Sequence, residues 1–126
     1  MFRVVVVCLT VLSSAIAFGT AGSAQTEAAK PRASGHVYFL TGLLGVTSNL
    51  DGVAAKVAKS GIPTSMAGPG SQTSFAQSAI SEYRSGRLRS VVIVGYSAGG
   101  SSALDMAAQL NAAKVPVQLL VLVDGM

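Results

Sequence analysis

The chain has 126 residues, one cysteine and one histidine; 50% of it is hydrophobic, 11% is charged, and the formal net charge is +4. So apolar a composition excludes a wholly disordered chain, and the length holds one domain. A single cysteine excludes an internal disulfide or a cysteine-ligated metal cluster. The basic residues are too scattered to form a nucleic-acid surface.

Arg3 precedes an apolar run over residues 4–18 that is interrupted only by Thr10, Ser13 and Ser14. A basic start, an apolar stretch and small residues at Gly22-Ser23-Ala24 have the form of a signal peptide cleaved before Gln25. The run is short of the roughly 20 residues that span a bilayer, so export with cleavage is expected rather than a lasting membrane anchor. Destination is then the periplasm or the outside of the cell. Cys8 would leave with the leader. Residues 25–35 read as a polar lead-in, and the folded domain is expected over residues 36–126.

Four β-like runs follow, at residues 36–41, 62–67, 90–96 and 116–123. Their starts lie roughly 26 residues apart with one helix-length segment in each gap, the pattern of a parallel sheet with right-handed crossovers. The expected fold class is α/β, a three-layer sandwich around a parallel central sheet. The first helix is expected to start with Ser48 as N-cap and Asp51 in its first turn, running to Lys59 and stopping at Gly61. Ser74 with Gln77 three residues on fits a capping box for a second helix that ends at Gly86, with Arg84 near its negative end. A third helix should begin just after Ser97 and reach Ala113, turning Leu104, Ala107, Ala108 and Leu110 toward the sheet. Residues 91–94 and 119–123 are apolar at nearly every position, as strands covered on both faces are, so both are expected to be central, although 119–123, as the last strand of this sequence, would be left at an edge.

Gly95-Tyr96-Ser97-Ala98-Gly99 lies between the third of these strands and the third helix. The pentapeptide G-x-S-x-G alone is weak, with roughly 0.2 chance occurrences expected at this composition, and its context carries the weight. Strand, tight turn and helix together thrust a serine hydroxyl up at the end of a sheet, where it can act as a nucleophile. A phosphate-cradling turn is the competing reading of such a glycine-rich helix start. The spacing G-x-x-x-G-G is not the dinucleotide pattern G-x-G-x-x-G, and no lysine follows.

With these residues in view, the sequence from His36 to Asp124 resembles the N-terminal part of an α/β-hydrolase, similar to small exported bacterial lipase-like or thioesterase-like members. The resemblance maps the four runs onto the family's third to sixth strands. Thr41-Gly42-Leu43-Leu44-Gly45 falls where the family places its oxyanion loop, with Thr41-Gly42 in place of a frequent His-Gly. It implies that Ser97 attacks an ester or thioester carbonyl while the backbone N–H groups of Ala98 and Leu43 hold the developing oxyanion. One such donor is worth about 3 kcal/mol of transition-state stabilisation. Leu43, Leu44 and Val46 either line an acyl pocket or pack beneath the loop. Small Gly95 and Gly99 would let strand and helix approach closely.

The rest of a triad is incomplete. A serine needs an adjacent base, and the only histidine, His36, opens the first strand, roughly 15 Å or more from Ser97 at about 3.3 Å per residue. His36 is therefore not the base. Asp124 follows the last strand at the same edge as Ser97 and is the candidate acid, or else a turn residue in Asp-Gly. The resemblance puts the catalytic histidine after a later strand that is not in this sequence. Truncation is the expected explanation, with little hydrolysis by the chain as it stands and with association through its apolar last strand. No metal or cofactor is expected. Two functions stay open: a serine esterase, lipase or thioesterase, and a non-catalytic exported binder of acyl or hydrophobic ligands.

Overall fold

A computed structural model describes residues 34–124. The expected leader, its expected cleavage site and Cys8 lie outside the described residues. Strands β1 (Ser34–Leu40), β2 (Thr64–Ala67), β3 (Leu88–Tyr96) and β4 (Val117–Val123) alternate with helices α1 (Leu50–Lys59), α2 (Gln72–Arg84) and α3 (Ala98–Ala112). A short 3-10 turn, Leu43–Gly45, follows β1. All three strand pairings are parallel, in the order β2-β1-β3-β4. Among the described residues no helix is long and apolar enough to cross a membrane.

Alternation along β1 builds the layers. Tyr38 and Leu40 point to one face, where they meet Ala76 and Ala79 of α2 and Ala103, Met106 and Leu110 of α3. Val37 and Phe39 point to the other, against Leu50, Ala54 and Val57 of α1. Removing such side chains from water is worth about 1.5–3 kcal/mol each. The α/β class and the helix-covered parallel sheet follow from this arrangement.

Several expectations about detail are corrected. Ser34 and Gly35 belong to β1 rather than to a polar lead-in, because Gly35 pairs with Ser90. Strands β2 and β4 begin at Thr64 and Val117, after Pro63 and Pro116, which have no N–H to donate but whose carbonyls accept from Val37 and Val91. Among the described residues β1 and β3 have neighbours on both sides, while β4 stands at an edge, as a last strand would, with Leu119 53% and Leu122 44% exposed.

The helix starts also differ. Asn49, not Ser48, precedes α1, in a left-handed conformation that makes no side-chain cap; Thr47 Oγ1 donates to Asp51 instead. Helix α2 starts after Ser71, so Ser74 lies inside it and no capping box forms. On α3 the buried stripe is Gly99, Ala103, Met106 and Leu110. Leu104, 49% exposed, and the exposed Ala108 therefore face outward, since the stripe starts at Gly99 and repeats every three or four residues.

Candidate functional site

Ser97 sits where β3 hands over to α3, with φ 53° and ψ −121°. L-residues avoid positive φ of this kind, and holding one there costs about 1–3 kcal/mol. Two contacts hold it. The Ser97 N–H donates to the Val123 carbonyl at the end of β4 (3.0 Å), and the Ser97 carbonyl accepts from Gly100 N–H (2.8 Å). The side chain is neither interred nor fully exposed.

The sharpness of the turn depends on the two glycines. A Cβ at Gly95 would lie 2.5 Å from the Gly99 carbonyl oxygen and 2.7 Å from the Ala103 Cβ. At Gly99 it would run into the carbonyl oxygens of Leu40 and Thr41 at the end of β1. The first turn of α3 thus lies directly on the carboxyl end of the neighbouring strand. Nothing larger than hydrogen fits at either position.

The loop after β1 comes to the same edge. It is drawn tight by Gly42 N–H to the Val46 carbonyl (2.9 Å) and Val46 N–H to the Leu43 carbonyl (3.1 Å). It lies against the residue before the serine, since a Cβ on Gly42 would be 3.3 Å from the Tyr96 ring. Among the described residues, neither the Leu43 N–H nor the Ala98 N–H has an acceptor. Two donors without an acceptor among the described residues therefore stand on the segments that follow the adjacent strands β1 and β3.

Leu43, Leu44 and Val46 are 66%, 102% and 53% exposed. They do not pack beneath the loop, and Leu44 is itself held at φ 56°. Backbone geometry turns these apolar groups outward around the turn.

Asp124 is exposed, has φ 52°, and directly follows the residue whose carbonyl binds Ser97. Among the described residues no hydrogen bond joins its carboxylate to the Ser97 hydroxyl. His36 stands beside Val91, six residues before Ser97 along β3, or about 20 Å away. It stacks on Tyr38 at 4.2 Å between ring centroids, and its Nε2 lies 2.8 Å from Ser65 Oγ. Burial lowers its pKa from the usual 6.5, partly offset by the Glu82 carboxylate. Among the described residues no three His, Cys, Asp or Glu side chains converge as a metal site would require.

Two features of this edge were not legible beforehand. Ser102 is buried on the first turns of α3, and its Oγ accepts from Gly70 N–H at 3.3 Å, tying the loop after β2 to the helix. Asp105, an exposed residue of α3, accepts from the side-chain amides of Gln72 and Gln109 and links α2 to α3. Both contacts join segments more than 30 residues apart, for which the sequence carries no local signal. No protein-family model, curated protein or solved structure matches this chain.

Proposed function

We propose that this chain carries the nucleophile-bearing part of an α/β-hydrolase that acts on carboxylic esters or thioesters, with Ser97 as the attacking residue. One observation carries the reading: a serine at positive φ, wedged between two glycines that admit no side chain, at a strand-to-helix junction. Such strain is retained where the surroundings over-determine it, and reactive turns are one such place.

In the proposed reaction, Ser97 Oγ attacks the acyl carbon and its proton leaves to a base. The carbonyl oxygen becomes an oxyanion, and the N–H groups of Ala98 and Leu43 donate to it. Collapse expels the alcohol or thiol and leaves an acyl-serine that water hydrolyses. Leu43, Leu44 and Val46 offer apolar surface to the acyl chain. Asp124 is the proposed acid, positioned to orient a base that these residues do not provide. Without that base Ser97 turns over little.

Chemical rescue tests this directly. A fluorophosphonate should label the isolated chain slowly, at a peptide containing Ser97, and imidazole in solution should accelerate it. Ser97→Ala should lose that label. No labelling at Ser97 with or without imidazole counts against the nucleophile. A second reading, a binder of acyl or hydrophobic ligands, is favoured by the exposure of Leu43, Leu44 and Val46. It predicts that Ser97→Ala leaves fatty-acid affinity intact while Leu44→Asp lowers it.

A further inference from the structure

The one histidine of the chain is paired with a serine, but not at the strand-to-helix turn. His36 on β1 and Ser65 on the neighbouring β2 face one another across the sheet, with Nε2 and Oγ 2.8 Å apart. In β1–β2 register His36 stands just before Val37, which pairs with Thr64, so the contact is a diagonal between adjacent parallel strands. Both side chains are half-buried and open into a groove of about 620 Å³ between the sheet and α2, also lined by Ser78, Ser81 and Glu82. The imidazole is held flat against Tyr38, itself 2% exposed and packed on Phe75, which fixes the plane of the ring.

From this pairing we propose that Ser65 is a second acylation site, activated by His36 and reactive toward small activated esters, independent of Ser97. In the tautomer with the proton on Nδ1, the Ser65 hydroxyl donates to Nε2, the arrangement a histidine base requires. Burial favours the neutral imidazole, as a base at neutral pH needs, while Glu82 across the groove acts in the opposite sense. When an aryl ester enters, the Ser65 proton passes to Nε2 as the Oγ–acyl bond forms. The bond from acyl carbon to aryl oxygen breaks and the phenolate departs with the electron pair. His36 releases its proton to solvent, then takes one from the water that hydrolyses the acyl-serine, regenerating the hydroxyl and freeing the carboxylic acid.

The groove is lined mainly by polar side chains, Ser74, Gln77, Ser78, Ser81 and Glu82 among them, so it suits small acyl groups such as acetyl rather than long apolar chains. This site lies toward the amino ends of β1 and β3, whereas Ser97 follows their carboxyl ends. A general base of this kind contributes roughly a hundredfold or more.

The test uses the full chain with p-nitrophenyl acetate, release of p-nitrophenolate, and peptide mass mapping of the acetylated residue. Acetylation should appear on the peptide bearing Ser65. His36→Gln should slow its formation about a hundredfold, and Ser65→Ala should abolish it, with far-ultraviolet circular dichroism unchanged in both. Should His36→Gln disturb the fold, Ser65→Cys provides a second handle: its alkylation by iodoacetamide should exceed that of Ser78→Cys several-fold. Acetylation mapping elsewhere, acetylation of Ser65 undiminished in His36→Gln, or equal alkylation of the two cysteines would overturn the proposal. Because the adduct is located by peptide, labelling at Ser97 and labelling at Ser65 are read separately.

Discussion

Replacing Ser97 by glycine removes the hydroxyl proposed to react, yet it should make the protein more stable. The wild-type residue is held at φ 53° and ψ −121°. That conformation costs an L-residue about 1–3 kcal/mol and glycine almost nothing. Against this, glycine loses about 0.5–1 kcal/mol more on folding because its unfolded chain is freer. The hydroxyl has no hydrogen-bond partner among the described residues, so its removal costs little, and the N–H bond to Val123 remains in every variant. The balance is a stabilisation of about 1 kcal/mol, a rise in Tm of roughly 4–8 °C for a domain this small. Ser97→Ala keeps the Cβ and therefore the strain, and should melt near the wild type. Ser101→Gly, on an exposed position of α3, controls for the intrinsic cost of glycine in a helix and should lower stability by about 0.5–1 kcal/mol. Circular-dichroism melts of the four proteins at one concentration make the comparison. If Ser97→Gly melts no higher than Ser97→Ala, the turn stores no strain and the reasoning for a specially held serine fails.

Gly99→Ala should destabilise by about 3 kcal/mol, since its Cβ meets β1 backbone that has no room to move. Gly35→Ala, whose Cβ would sit 3.6 Å from the Ser90 carbonyl oxygen, should stay within about 0.5 kcal/mol of the wild type; equal losses in chemical denaturation would refute the close-approach argument. Burial pushes the Tyr38 hydroxyl from its ordinary 10 up to about 12. Between these values the folded state holds a proton that the unfolded state has lost. Stability is therefore full below pH 10 and falls as pH rises toward 12, by up to roughly 2–3 kcal/mol; Tyr38→Phe should flatten that decline in alkaline melts. At the outer edge, β4 should support association of copies, and Leu119→Lys should shift sedimentation toward monomer. A wild type that sediments as a sharp monomer would contradict this.

The strand–turn–helix at Ser97 was legible because three local signals agree: an apolar run, small residues at the bend, and an alanine-rich stretch beyond it. Parallel winding was legible from the spacing of the runs. For β4 the signals pulled apart: residues 119–123 are apolar on both faces, which describes a strand's composition and not its neighbours, while its place as the last run left it at the edge where it stands among the described residues. Helix starts failed for a different reason. Whether Ser48 or Asn49 precedes α1 is set by backbone angles at Ser48 and Asn49, both at positive φ, and residue type alone does not fix these. The outward turn of Leu104 followed from the anchoring of α3 at Gly99, a tertiary contact with β1. The His36–Ser65 pairing needed the register between two strands 29 positions apart in sequence.

The hydrogen bond from Ser97 to Val123 gives β4, an edge strand of the sheet, a lever on a residue held at positive φ. Edge strands fray before the interior does, so loosening the end of β4 would release one of the two ties on the bend and let the serine relax toward ordinary dihedrals. Whatever docks along that border, by propping the strand in place, would set how long the hydroxyl stays presented. The conformation of the turn is thereby tied to the rim of the sheet rather than to its centre.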